Sequence, residues 1–60
     1  MTTETRVAQK DKLYTLLFVK KAYVTAGIEV LPALNEAIRA AKAVMDAEDV
    51  AYVEKQVSQD

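Results

Sequence analysis

The sequence predicts an all-α protein: a long N-terminal helix followed by two shorter ones, forming a three-helix unit that assembles as a homodimeric bundle. Three observations carry this expectation. The only glycine, Gly27, and the only proline, Pro32, lie five residues apart and divide the chain into two segments. Apolar residues recur at steps of three and four on both sides of that division, as on one face of a helix. The 60-residue chain contains neither cysteine nor histidine. Disulfides and the commonest metal ligands are therefore excluded as staples for so small a core, which leaves association as the remaining source of stability.

The first helix is expected from Thr3 to about Ala26, with Thr2 or Thr3 as its N-cap and Glu4 in the first turn. Val7, Tyr14, Leu17, Val24 and Ile28 suggest its inward face, with Lys10 and Lys21 extending their aliphatic stems along it. Residues 13–24 are also rich in β-branched and aromatic types, so strands over Leu13–Val19 and Ala22–Val30 are the competing reading. Lys20-Lys21 makes a poor hairpin loop, which favours the helix.

Gly27 and Pro32 bracket the connection, because glycine and proline are the strongest breakers. Pro32 suits the first position of a second helix, where its missing N–H has no helical partner to lose. Leu31, Leu34, Ile38, Ala41 and Met45 form one stripe of that helix, and Ala33, Ala37, Ala40 and Val44 a second, small-residue stripe beside it. Asp46 is placed to cap a third helix over about Ala47 to Val57. Glu48 and Asp49 would sit in its first turn, where the dipole favours negative charge. Val50, Val53 and Val57 make its apolar face. The alternative is one unbroken helix from Pro32 to Val57.

Residues 1–60 form a single domain by length. A composition of 52% hydrophobic and 28% charged residues excludes the intrinsically disordered class. A net charge of −1 gives no overall attraction to nucleic acid or to membranes. The apolar run Leu16-Leu17-Phe18-Val19 is far too short to span a bilayer, and the N-terminus lacks a secretory pattern. A cytoplasmic location is the default expectation.

Enzymatic chemistry finds no foothold. Nucleophilic triads need histidine or cysteine in most forms, and one glycine cannot build a phosphate-binding loop. Asp46, Glu48 and Asp49 are the densest acidic cluster, but helix capping accounts for them without a metal. The expectation is a non-enzymatic protein with no cofactor, no metal and no small-molecule substrate.

The run Leu16 to Val19 surrounds a whole helical turn with apolar side chains, and Tyr14 and Tyr23 widen that surface. A helix apolar all round is normally buried all round. Two short helices faced with alanine and valine cover only part of it. A second copy or a foreign protein is therefore expected against Leu13, Tyr14, Leu16, Leu17, Phe18, Tyr23 and Val24. Tyr14 and Tyr23 are the expected anchors, since large aromatics dominate interface energetics, and Tyr52 is a candidate third. Function would then be that of a small regulator, inhibitor or assembly subunit.

The rival reading is a small DNA-binding regulator using Lys10, Lys20 and Lys21 of the first helix. The first thirty residues carry five basic against three acidic side chains, the second thirty three against six. That asymmetry falls short of the dense basic stripe typical of DNA-binding modules. It suits instead an antiparallel orientation of two subunits, in which unlike potentials meet.

Overall fold

The computed structural model describes residues 2–59. It is all-α, with three helices and no strand among the described residues. Helix α1 runs Thr3–Thr25, α2 Pro32–Ala43 and α3 Ala47–Gln59. Residues 13–30 thus contain no hairpin, and the break before Ala47 separates α2 from α3.

Local chemistry accounts for each boundary. The Thr2 hydroxyl accepts from the Thr5 backbone N–H at 3.2 Å, satisfying one of the orphan donors at the helix start. At the other end of α1, the Gly27 N–H donates to the Val24 carbonyl at 3.1 Å and the Ile28 N–H to the Tyr23 carbonyl at 2.9 Å. This pair of bonds is a Schellman cap, which places its C′ residue in the left-handed region. Gly27 occupies that position with φ 73°.

A Cβ at Gly27 would meet no atom within 4 Å, so only the backbone conformation opposes a side chain there. Gly27→Ala is therefore expected to cost about 1 kcal/mol, lowering Tm by roughly 4–8 °C in a domain of this size. Thermal unfolding followed by circular dichroism checks this, and an unchanged or raised Tm would contradict the cap assignment.

Pro32 opens α2, where the Leu31 carbonyl accepts from Leu34 and Asn35. Asp46 precedes α3, and its carbonyl accepts from the Val50 N–H at 3.0 Å.

Contacts between α1 and α3 follow the chain in the same direction. Arg6 meets Asp49, Lys10 lies over Tyr52, and Lys21 reaches the Val57 carbonyl. The two helices are thus parallel, and α2, which links them in the chain, returns antiparallel along α1. Both α2 and α3 pack on α1, while they touch each other much less; a 3.8 Å ion pair from Lys42 to Glu54 joins them.

The core is small: Leu13 from α1, Ile38 and Ala41 from α2, and Val53 and Val57 from α3. Leu13 is completely enclosed, at 0% exposure. Tyr14, Leu16, Leu17, Leu34, Met45 and Val50 pack around this centre, half-buried.

This arrangement corrects the expected inward face of α1. Val7 and Val24 are 54% and 62% exposed, and Ile28 lies beyond the helix in the connection. The buried line centres on Leu13 instead, flanked by Leu16, Leu17 and Lys20. The physical reason is the side-on docking of α3, whose contacts with Arg6, Lys10 and Lys21 set the rotation of α1 about its axis. Of the small-residue stripe on α2, only Ala37 is half-buried, and Ala33, Ala40 and Val44 face outward.

Length decides how much of α1 is covered. Its 23 residues span about 35 Å at the helical rise, whereas the 12 and 13 residues of α2 and α3 reach only about 18 and 20 Å. The molecule measures 38 × 24 × 16 Å, so α1 runs nearly its full length as a spine. Its radius of gyration, 11.7 Å, exceeds the roughly 10 Å expected of a compact 60-residue domain.

Candidate protein-docking face

The seven residues expected at an interface separate into three groups. Leu13 is removed from the set, because its own chain encloses it. Leu16 and Leu17 are half-buried against the core and serve folding first. Tyr14, Phe18, Tyr23 and Val24 retain outward surface, but not on one face. Tyr23 points toward the side of α1 that carries Leu16, nearly opposite Tyr14, by the 100° advance per residue. Val24 lies at the far end of α1, lining a groove of about 310 Å³ with Leu17, Val57 and Ser58.

Tyr14 and Phe18 share a face and stack on one another, with ring centroids 6.2 Å apart and planes inclined by 20°. Phe18 is 49% exposed, a large fraction for the only phenylalanine of the chain. Val7 extends the same line toward the N-terminus. A groove of about 440 Å³ between α1 and α3 joins this line to α3; Val7, Lys10, Tyr14 and Tyr52 contribute to its walls. Tyr52 is 57% exposed, and the Lys10 ammonium sits 5.4 Å from its ring centroid, within cation–π range. The result is a patch of three aromatics and a valine along one flank of the spine.

The exposed area supports the same conclusion. The chain exposes 4412 Å², whereas a compact monomer of 6.6 kDa exposes about 3,900 Å². Single apolar side chains at a surface are ordinary; a half-exposed aromatic pair, Tyr14 and Phe18, beside an exposed valine on an over-exposed small domain is less so.

The patch is held in place by an ion pair that links residues 43 positions apart. The Arg6 guanidinium donates to both oxygens of Asp49, Nη2 to Oδ1 at 3.0 Å and Nε to Oδ2 at 3.2 Å. Asp49 is 9% exposed, and this two-pronged contact satisfies it in the geometry at which arginine excels. The hydrogen bond from Arg6 and then its charge hold the Asp49 carboxyl below the ordinary value of 3.8, against an opposing effect of burial. The same bond and charge raise Arg6 above its ordinary value.

A carboxyl lowered by folding stabilises the native state above its unfolded pKa and loses that contribution as pH falls through the native value. Wild-type stability should therefore drop as pH falls below about 4, and Asp49→Asn should remove that part of the drop. The difference in Tm between the two proteins, measured from pH 7 to pH 2, is expected to shrink toward zero at the acid end. A constant difference would dissociate the ion pair from stability.

Two of the three lysines of the nucleic-acid reading are turned to α3. Lys10 covers Tyr52, and the Lys21 Nζ donates to the Val57 carbonyl at 2.9 Å. Lys20 is half-buried. Asp46, Glu48 and Asp49 do not converge, and no group of three or more potential metal ligands occurs among the described residues. No helix of the described residues is long and apolar enough to cross a membrane.

Sequence reasoning missed Val7 as an outward residue and missed the Arg6–Asp49 pair. A sequence signal for the pair existed only in part: Asp49 was visible as a first-turn acid, but nothing local named its partner. No protein-family model matches the chain, and neither a curated protein nor a solved structure does.

Proposed function

We propose that the protein is a small, non-enzymatic interaction module that binds another protein chain through the flank of α1 bearing Val7, Tyr14 and Phe18, bordered by Tyr52. Its role would be that of a regulator, inhibitor or assembly subunit. The observation that carries the reading is the half-exposed Phe18 stacked on Tyr14, on a helix too long for its two partners to cover. Aromatic side chains in such a position supply contact area at little entropic cost, which is why they dominate binding energy at interfaces.

A photo-reactive phenylalanine analogue tests this at two positions of the intact chain. Placed at residue 18, it is expected to yield a discrete covalent adduct with protein, whether a second copy or a foreign chain. Placed at the exposed Ala40 of α2, it should yield none above background. Equal yields from the two positions would overturn the assignment of the docking face.

A further inference from the structure

We propose that the docking face is occupied by a second copy of this chain, with the two α1 helices packed antiparallel about a two-fold axis level with Leu16. The inference rests on the docking reading above and names its partner. Along α1, the flank beside α3 reads Val7, Asp11, Tyr14, Phe18, Lys21 and Thr25, alternating steps of four and three residues; Lys21 is half-buried and donates one ammonium hydrogen to the Val57 carbonyl, which leaves two for a carboxylate on a second copy. That alternation is the seam of a shallow helix–helix crossing.

These positions are also symmetric about residue 16. Tyr14 and Phe18 are equidistant from it, as are Asp11 and Lys21, and Val7 and Thr25. A two-fold axis there sets Tyr14 of each copy against Phe18 of the other, continuing the stack already present within one chain. It sets Asp11 of each copy beside Lys21 of the other, giving two opposite-charge contacts. A parallel pairing in register would instead oppose Asp11 to Asp11 and Lys21 to Lys21, and like charges across an interface are unfavourable. A two-fold contact must be self-complementary, and this stripe is so in both charge and shape. The roughly 500 Å² by which the chain's 4412 Å² exceeds a compact monomer is a large part of the roughly 800 Å² each partner buries in a standard interface.

The charge pattern supplies its own test. Wild-type protein is expected to sediment as a dimer. Asp11→Lys and Lys21→Glu should each weaken self-association by roughly ten-fold or more, because each creates two like-charged contacts. An equimolar mixture of the two variants should recover a 1:1 dimer, since both contacts are then between opposite charges. Circular dichroism confirms that each variant is helical.

Should Lys21→Glu lose its fold with the Val57 hydrogen bond, a cysteine pair decides alone. In the antiparallel dimer residue 7 of one copy lies near residue 25 of the other, whereas the two residues 7 are about 27 Å apart along the axis. A short bis-maleimide should therefore join Val7→Cys to Thr25→Cys in a mixture and leave Val7→Cys alone without a covalent cross-link. A monomeric wild type at every concentration, failure of the mixture to re-associate from folded variants, or efficient cross-linking of Val7→Cys with itself would each overturn the proposal. A monomeric wild type that still gives a foreign adduct from residue 18 would sink the second copy alone; loss of that adduct as well would sink the docking face with it.

Discussion

Leu13→Ala is expected to remove about 3 kcal/mol of stability, the usual loss when a fully buried leucine is truncated in a core that cannot collapse around the cavity. A 60-residue chain has only about 3–9 kcal/mol in total, so one side chain accounts for a third of it or more. The position is decisive because Leu13 is the one α1 residue at 0% exposure, and it is the contribution of α1 to a five-residue core drawn from all three helices. Neither Ile38 nor Ala41 of α2 has another fully buried α1 partner to pack against. The expected Tm loss exceeds about 10 °C, read by thermal unfolding at fixed protein concentration. Leu31→Ala, at a site 56% exposed, is the control and should change stability by less than about 0.5 kcal/mol. A loss at Leu13 below about 1 kcal/mol would mean that the core lies elsewhere.

Phe18→Asp is expected to have the opposite profile: little effect on the isolated chain and a large effect on association. Phe18 is half-exposed, so a carboxylate there stays in water while the chain is alone. In the assembly it would be buried against aromatic surface, where the nearby Lys21 ammonium is already shared between the Val57 carbonyl and Asp11 of the other copy, and its stack with Tyr14 would be lost. A central aromatic anchor is typically worth 2 kcal/mol or more, so association should weaken at least about thirty-fold. Sedimentation equilibrium measures the association, and circular dichroism reports whether the helices persist. Full-strength association by a folded variant would place the interface away from this flank.

The two substitutions sit five residues apart on one helix, and the sequence alone does not rank them. Both fall in a segment, Leu13 to Val19, where apolar side chains point in every direction. Periodicity identifies a buried face only when the opposite face is polar, and around Leu16–Val19 there is no polar side to serve as contrast. Leu13 could therefore be grouped with Phe18 as interface, and Val7 and Val24 with the inward face. Tyr52 could be noticed as a possible anchor, yet its neighbourhood with Val7 and Tyr14 required the fold.

The Arg6–Asp49 pair was illegible for a related reason. It joins the first turns of α1 and α3, and each residue alone has an ordinary local explanation: a basic residue on a soluble helix, an acid near a helix N-terminus. Only parallel docking of the two helices brings them within 3.0 Å.

What the sequence by itself determined was the division into helices. Thr2, Gly27 and Pro32 act through hydrogen bonds and backbone torsions that reach no further than a turn, so their effect can be read from neighbours in the chain. What only the tertiary structure decided was the rotation of α1: which side of it faces α2 and α3, and which is left to water. That choice depends on contacts between residues tens of positions apart, and an apolar segment without a polar side carries no local record of it.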